Sequence, residues 1–476
     1  VLPGTSELAG GLASVTDMAT SPSIVWLRDD LRVADNPALT AAVERGGPVV
    51  VLFLLDEQSP GTRPLGGASR WWLHGSLTAL AGELAERGAQ LALRIGAAGT
   101  VIPNLVDEIG AGAVYWNRRY GALRDVDAAL KHDLRADGLE VQSFGASLLF
   151  EPWTITTGSG DPYRVFTPYW RACLAADEPR APLPAPTAIP GLPIDGTALD
   201  GRTLASWNLL PTRPDWAAGL RESWTPGEAG AHARLEHFVE HGLPLYHRRD
   251  EPGFEATSRL SPHLRFGELS PHQVWARLRG PLAPAAIANR PKFLSEIGWR
   301  EFSYSILFHQ PTIATENVRR DFDAFPWRAP EPAVLAAWQQ GRTGIPLVDA
   351  GMRQLWHSGW MHNRVRMIVA SLLTKNLLID WRIGEAWFWD TLVDADEASN
   401  AASWQWVAGS GADAAPYFRV FNPVLQAERF DPDRAYVRRW VPELDSSAYP
   451  SPIVDLAASR TAALAAYEVV KAAKQG

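Results

Sequence analysis

Two carboxylates, Asp394 and Asp396, precede the amide Asn400, and two indoles, Trp404 and Trp406, follow it. The chain then runs through Asp413-Ala414-Ala415-Pro416-Tyr417-Phe418-Arg419-Val420-Phe421-Asn422-Pro423, an aromatic and basic segment. Ordinary core packing has no use for that combination. It suits a site that holds a large flat cofactor and stacks an unpaired base beside it.

Three further segments carry chemistry. Thr257-Ser258-Arg259-Leu260-Ser261-Pro262-His263-Leu264 places hydroxyls and backbone amides just ahead of a helix, a seat for an anion as well as an ordinary capped start. Upstream, Tyr246-His247-Arg248-Arg249-Asp250 adds an aromatic ring and two cations. In Phe293-Leu294-Ser295-Glu296-Ile297-Gly298-Trp299-Arg300-Glu301-Phe302, the residues Glu296, Trp299 and Arg300 stand at i, i+3 and i+4 and are expected on one helical face. Read blandly, that face is a surface salt bridge with a packed indole. Asn363, Arg366 and Met367 share a face in the same way. The segment Gly409-Ser410-Gly411-Ala412-Asp413-Ala414 matches a dinucleotide fingerprint but lacks the strand that would precede it. The histidines show no metal spacing, and no serine sits in a nucleophile elbow, so no metal site is expected.

These residues need elements to position them. Short apolar runs predict strands over 23–27, 49–55, 91–95, 113–116 and 141–144. Helical patterns over 36–44, 68–87, 100–109 and 122–136 alternate with them. That order predicts a Rossmann-like α/β domain, a doubly wound parallel sheet, over residues 23–150. The turn after the first strand is Arg28-Asp29-Asp30-Leu31-Arg32, not a glycine-rich loop. Residues 151–226 read as an interdomain linker, Pro-rich and aperiodic from Pro179 on. Helical periodicity then dominates, over 231–241, 271–278, 292–308, 332–340, 346–358, 362–379 and 384–392, and predicts an all-α domain over 227–476. Residues 1–22, rich in Gly, Ser, Thr and Ala, are expected to be a disordered extension without the basic start and apolar core of a secretory leader.

Composition narrows the class. The single cysteine, Cys173, excludes an intrachain disulfide or a cysteine metal cluster and fits a cytoplasmic protein. No apolar run approaches the ~20 residues of a membrane helix. The net charge of −8 is uneven. Residues 1–200 hold 15 Lys+Arg against 23 Asp+Glu, whereas residues 201–476 hold 30 of each, which leaves room for a basic face there. Of 21 tryptophans, 15 lie beyond position 200, clustered with Arg, Asn and Asp.

Together the four segments, with Trp26-Leu27-Arg28-Asp29-Asp30-Leu31-Arg32 and Asp35-Asn36-Pro37 near the start, resemble the photolyase/cryptochrome family over roughly residues 23 to 470, closest to bacterial cyclobutane pyrimidine dimer photolyases. The resemblance implies FAD in the helical domain, bound through Tyr246, Thr257, Ser258, Arg259, Leu260, Ser261, Phe293, Asn363, Arg366, Asp394, Asp396 and Asn400. Asn400 would face flavin N5, where animal cryptochromes usually carry Cys and plant ones Asp. Arg366 would pair with Asp394. Damaged DNA would meet Arg249, Glu296, Trp299, Arg300, Asn363, Arg364, Met367, Trp406 and Gln426. Plant-type cryptochromes usually lack this Glu and Trp, and (6-4) photolyases tend to carry His in place of Met367.

The activity so implied is light-driven repair: reduced FAD, excited by blue light, gives one electron to a flipped-out pyrimidine dimer, whose ring bonds then open. Trp404, Trp381 and Trp327 match the family's photoreduction chain, and Trp387 or Trp389 offers a second exit. A folate (methenyltetrahydrofolate) or deazaflavin antenna is expected in the N-terminal domain, folate being favoured. The partner would be UV-damaged DNA, met by a monomer in a bacterial cytoplasm, at the nucleoid during repair. The competing readings are a blue-light photoreceptor cryptochrome, a (6-4) photolyase, and a flavin electron-transfer protein using the helical domain alone.

Overall fold

The computed structural model describes residues 21–198, 202–414 and 418–474. The extension expected over 1–22 therefore lies almost wholly outside the described residues.

Five strands form one parallel sheet in the order β3-β2-β1-β4-β5. They are β1 Ser23–Leu27, β2 Val49–Leu55, β3 Leu91–Ile95, β4 Ala113–Asn117 and β5 Glu140–Phe144. β1, β2 and β4 are buried along their whole length, as their unbroken apolar runs require of strands covered on both faces. The covering helices are α1 Pro37–Arg45, α2 Gly67–Ala85, α3 Ala98–Ile109 and α4 Leu123–Ala136. The chain winds outward from β1 to β3, then returns to place β4 on the other side of β1. At that reversal, beyond the carboxyl ends of the strands, ligand crevices form. A cleft of about 1240 Å³, open solvent included, lies there, with Trp26, Arg28, Asn117 and Tyr120 in its wall.

The linker expected over 151–226 is more structured than its composition predicts. It holds α5 Phe166–Ala175, α6 Arg202–Ser206 and α7 Ala218–Ser223. Tyr169, Trp170 and Cys173 enter a core of the helical part, while Trp207, Leu220 and Trp224 enter the core outside the sheet. Aromatic burial, not local periodicity, orders this segment.

The helical part comprises α8 Glu228–His237, α9 Ser261–Arg265, α10 Pro271–Arg279, α11 Pro284–His309, α12 Pro332–Gln339, α13 Pro346–Ser358, α14 Asn363–Ser371, α15 Trp381–Thr391, α16 Glu397–Ala408, α17 Pro423–Phe430, α18 Ala435–Trp440 and α19 Leu456–Ala473. The sequence pattern starts α11 at Lys292, but the helix runs through Pro291; Asn289 Nδ2 donates to Pro244 O at 3.0 Å and anchors the turn ahead of the proline. α14 passes at Leu372 into a π-helical turn over Leu372–Asn376, which splits the single helix expected over 362–379.

Two knots join the parts. Glu268, fully buried, accepts from Trp72 Nε1 at 3.0 Å, from Gly227 N at 2.7 Å, and from the Ser76 hydroxyl, and it contacts His263 Nδ1. The turn before α2 docks on α15: a Cβ at Gly66 would lie 2.2 Å from Trp389 O, so only glycine fits. Among the described residues, no helix is long and apolar enough to cross a membrane.

Candidate functional site

Asp394, in the turn between α15 and α16, gathers three of the sequence segments. Its Oδ2 accepts from Ser261 Oγ at 2.6 Å and from Arg366 Nη2 at 2.8 Å. Residues 133 and 28 positions away thus converge on one oxygen. Arg366 is fixed by a second bond, Nε to Met361 O at 2.7 Å. The other oxygen, Asp394 Oδ1, is buried with no partner among the described residues, as is Trp404 Nε1. A buried acceptor left open in this knot is costly in an apolar interior, and it fits a ligand that brings an N–H edge, as a flavin does.

The hydroxyl segment leads into α9, and its aromatic neighbours pack as a group. Tyr246 and Phe293 meet edge to face at 5.4 Å, and Phe238 closes on Phe293 at 4.6 Å. Arg259 departs from the role expected of it. Its backbone is left-handed (φ 54°), and its guanidinium stacks between Trp224 at 4.8 Å and Trp360 at 5.0 Å. Burial, then the neighbouring Arg234, pulls its pKa down to about 10. The left-handed turn sends the side chain out of the loop and onto the two indoles.

A second cluster adjoins the first. Arg249 Nη1 lies 2.6 Å from Glu296 Oε1, and its guanidinium lies 5.5 Å from the Tyr246 ring. Next to it Arg364 pairs with Asp250 at 2.9 Å. His362 caps α14 by accepting from Arg364 N at 3.2 Å; burial holds its pKa down at about 4, so the cap stays neutral. Asn363 is exposed at the first position of α14, and Met367 is half-buried one turn on.

Trp299 stacks on Phe166 of α5 at 4.0 Å, nearly parallel at 12°, so one indole face is covered. Phe166 N donates to Asp413 Oδ2 at 3.3 Å, and Trp406 Nε1 donates to Asp413 O at 3.0 Å. The two indoles expected to meet a base are therefore tied to one another through Phe166 and Asp413. Gln426 lies on α17 beside Arg419 and Arg460, its Oε1 buried with no partner among the described residues, and Phe430 of the same helix packs under Arg364.

Two expected residues lie elsewhere. Arg300 does not join Glu296 and Trp299: its Nη1 donates to Ser147 O at 2.6 Å and it covers Tyr304, facing the sheet domain. At ~100° per residue, Trp299 and Arg300 fall on opposite flanks of Glu296, and only one flank faces outward. Asp396 is engaged as the N-cap of α16, accepting from Ala398 N at 3.1 Å and Ser399 N at 2.6 Å, and its other oxygen accepts from Tyr304 Oη at 2.7 Å. Its carboxylate is thus shared between the start of α16 and the tyrosine.

Asn400, buried on α16, donates from Nδ2 to Glu385 O at 3.1 Å and to Glu385 Oε1 at 2.8 Å. Trp404 has Phe388 at 4.9 Å and Trp338 at 6.3 Å as ring neighbours. Trp381 is fully buried, with Nε1 on Asn317 Oδ1 at 2.9 Å, and Trp327 is half-buried against Phe325. Trp389 is pinned by Pro64 O and lies under Arg63, whereas Trp387 lies parallel to Trp356, which is 58% exposed. Of the two extra indoles, Trp387 lies beside the exposed Trp356, and Trp389 lines the cleft with Arg63.

Sequence reasoning missed Phe166, Glu385 and Arg63. None sits in a segment whose residue types stand out; only contact reveals them. Asp413 was in plain view inside the aromatic-basic segment, but its joining role was not.

Known proteins of one family share this architecture. Residues 293–448 match the family profile described as the FAD binding domain of DNA photolyase, and residues 23–187 match that described as DNA photolyase. The chain is 50% identical over 481 residues to the deoxyribodipyrimidine photo-lyase of Agrobacterium fabrum, covering 95% of this chain and 99% of that one. It is 38% identical over 435 residues to cryptochrome-1 of Arabidopsis thaliana, covering 89% of this chain and 63% of that one. Among solved structures, a bacterial class III photolyase from Agrobacterium tumefaciens superposes with a TM-score of 0.90 at 49% identity, covering 98% of this chain and all of that one.

Proposed function

We propose that this chain, which belongs to the DNA photolyase family, repairs cyclobutane pyrimidine dimers in UV-damaged DNA as a deoxyribodipyrimidine photo-lyase. The observation that carries this reading is the joining of Trp299 to Trp406 through Phe166 and Asp413, beside the Arg249–Glu296 pair. A cofactor pocket alone would not need it; a pocket that accepts an extruded base does.

Ser261, Asp394 and Arg366 would hold FAD, with Asn363 and Met367 facing flavin and substrate, and with Tyr246, Phe293 and the backbone of Thr257, Ser258 and Leu260 at its phosphate end. Reduced and light-excited, the bound cofactor would supply the single electron that opens the dimer ring. The chain's own work is positional. Arg366 holds Asp394 as an acceptor. Trp299 and Trp406 replace the stacking that the lesion loses on leaving the helix, each worth ~1–3 kcal/mol per base. Glu296 offers a carboxylate to the pyrimidine edge, kept in place by Arg249. The cleft at the ends of β1 and β4 is the place for an antenna, with folate the favoured class.

The test uses purified, flavin-loaded, reduced protein with an oligonucleotide bearing a thymine dimer. Blue light should restore the absorbance of intact thymine, and darkness should not. Absence of repair under light, with flavin bound, would leave the blue-light receptor as the better reading. Conversion of a (6-4) product instead would move the substrate class.

A further inference from the structure

Asn400 cannot orient itself freely. Both groups that face its Nδ2, the backbone oxygen of Glu385 and the carboxylate Oε1 of the same residue, are acceptors. They consume the two N–H bonds of the amide and leave only its carbonyl oxygen to face anything else. The assignment holds as long as Glu385 stays an acceptor. A carboxylate is acceptor-only while ionised. The Glu385 side chain is 4% exposed, and a cation reaches it from the other domain: Arg63 Nη1 lies 2.8 Å from Oε1 and Nη2 lies 2.9 Å from Oε2, a two-pronged pair. Arg63 is itself held flat on Trp389 at 4.1 Å, and Trp389 Nε1 donates to Pro64 O at 2.8 Å.

We propose that Arg63, a residue of the sheet domain, is a positioning residue for the flavin: through Glu385 it locks the Asn400 amide with its carbonyl oxygen outward. This rests on the reading of the site as a flavin pocket with Asn400 at N5. A carbonyl oxygen at N5 accepts from N5–H and repels the lone pair of an unprotonated nitrogen. The lock therefore favours reduced, N5-protonated flavin over oxidised flavin. Without Arg63, the buried carboxylate loses both its cation and the grip that holds it against Asn400, a costly state relieved when it swings away from Nδ2 toward the emptied Arg63 position. The amide is then free to turn its N–H bonds toward the ring.

The test is a redox titration of the bound FAD in the full-length protein, followed by absorbance, for the parent and for Arg63→Ala, Arg63→Lys, Glu385→Gln and Asp390→Ala. Asp390 Oδ1 accepts from Gly67 N at 2.8 Å, so its loss loosens the same domain contact without touching Glu385. At a fixed poise, R63A and E385Q should lose at least tenfold in the ratio of reduced to oxidised flavin, about 30 mV for a two-electron couple. R63K, which keeps the charge, should recover most of that, and D390A should titrate with the parent. An R63A protein that titrates with the parent, or a D390A protein that shifts as far, overturns the proposal. If R63A fails to fold, E385Q decides, and an unshifted potential there overturns it. A parent that takes up no flavin overturns the flavin reading, and this proposal with it; a flavin-loaded parent with unshifted variants overturns this proposal alone.

Discussion

Trp299 is stacked on Phe166 yet stays partly exposed, and this sets what its loss should do. Trp299→Ala and Trp406→Ala should each weaken binding of dimer-bearing DNA by about 5- to 150-fold, from ~1–3 kcal/mol of stacking per base, with undamaged DNA little affected. Equal losses on both DNAs, read by fluorescence anisotropy, would mean that neither indole meets the lesion. Phe166→Ala should act in the same direction as Trp299→Ala, because it removes the ring that holds the indole flat. A different residue governs pH behaviour. Glu301 is fully buried, and burial pushes its pKa up to about 7 although Leu149 N and Phe150 N donate to it. Its pKa is raised on folding, so the native state binds the extra proton between about 4.5 and 7. The stability it contributes is therefore present at acid pH and lost as pH rises to 7. Glu301→Gln keeps an acceptor for the two amides and should stabilise the protein at pH 8 by roughly 1–3 kcal/mol relative to pH 5. Thermal midpoints with the same pH trend in parent and variant would refute this.

The helix that carries Asn400, Trp404 and Trp406 shows how an element can be hidden. α16 is rich in Ala and Ser and is buried on most sides, so no apolar stripe marks it. Its start is legible only as the cap: Asp396 accepting from two amides of the first turn. Its packing on α15 depends on Gly384, where a Cβ would lie 2.2 Å from a Trp404 ring atom. Gly384→Ala should therefore push the indole out of place. We expect a destabilisation of about 1–3 kcal/mol by denaturant titration and slower photoreduction of bound flavin. A variant with unchanged midpoint and unchanged photoreduction would show that the α15–α16 contact has slack.

At the scale of the whole molecule, both parts hang on shared buried groups. Glu268 binds α2, the residue before α8 and the α9 turn at once, so Glu268→Ala should cost ~3–5 kcal/mol and loosen the two parts together. A denaturation midpoint within error of the parent would contradict that. Acid should act on the same scale. His362 and His272 are both held near pKa 4, chiefly by burial. For a histidine depressed on folding, stability is full above the unfolded value near 6.5 and is lost as pH falls toward 4. The melting temperature should drop between pH 6.5 and 4.5, and less so in His272→Asn. The charge asymmetry also belongs here: the acidic surplus lies in residues 1–200 and residues 201–476 are neutral in sum, so the sheet domain is the less favourable surface for a polyanion.

The strands were legible because unbroken apolar runs of 5 to 7 residues alternating with helical patterns suit strands covered on both faces, whereas their order in the sheet came only from the fold. The pairing of Arg366 with Asp394 was expected from the family resemblance, and the structure brings Ser261 to the same carboxylate. What the chain alone left open is direction. Residue spacing puts Arg300 beside Glu296, but packing on the sheet domain turns it to Ser147. Composition makes the Pro-rich connection a tether, but burial of its aromatics folds it into two cores. Nothing near Arg63 or Glu385 in sequence announces their pairing, because 322 residues separate them and only the docking of one domain on the other brings cation to carboxylate. Local types and periods are written along the chain; which groups end up facing one another is decided by how the layers close over water-excluded space.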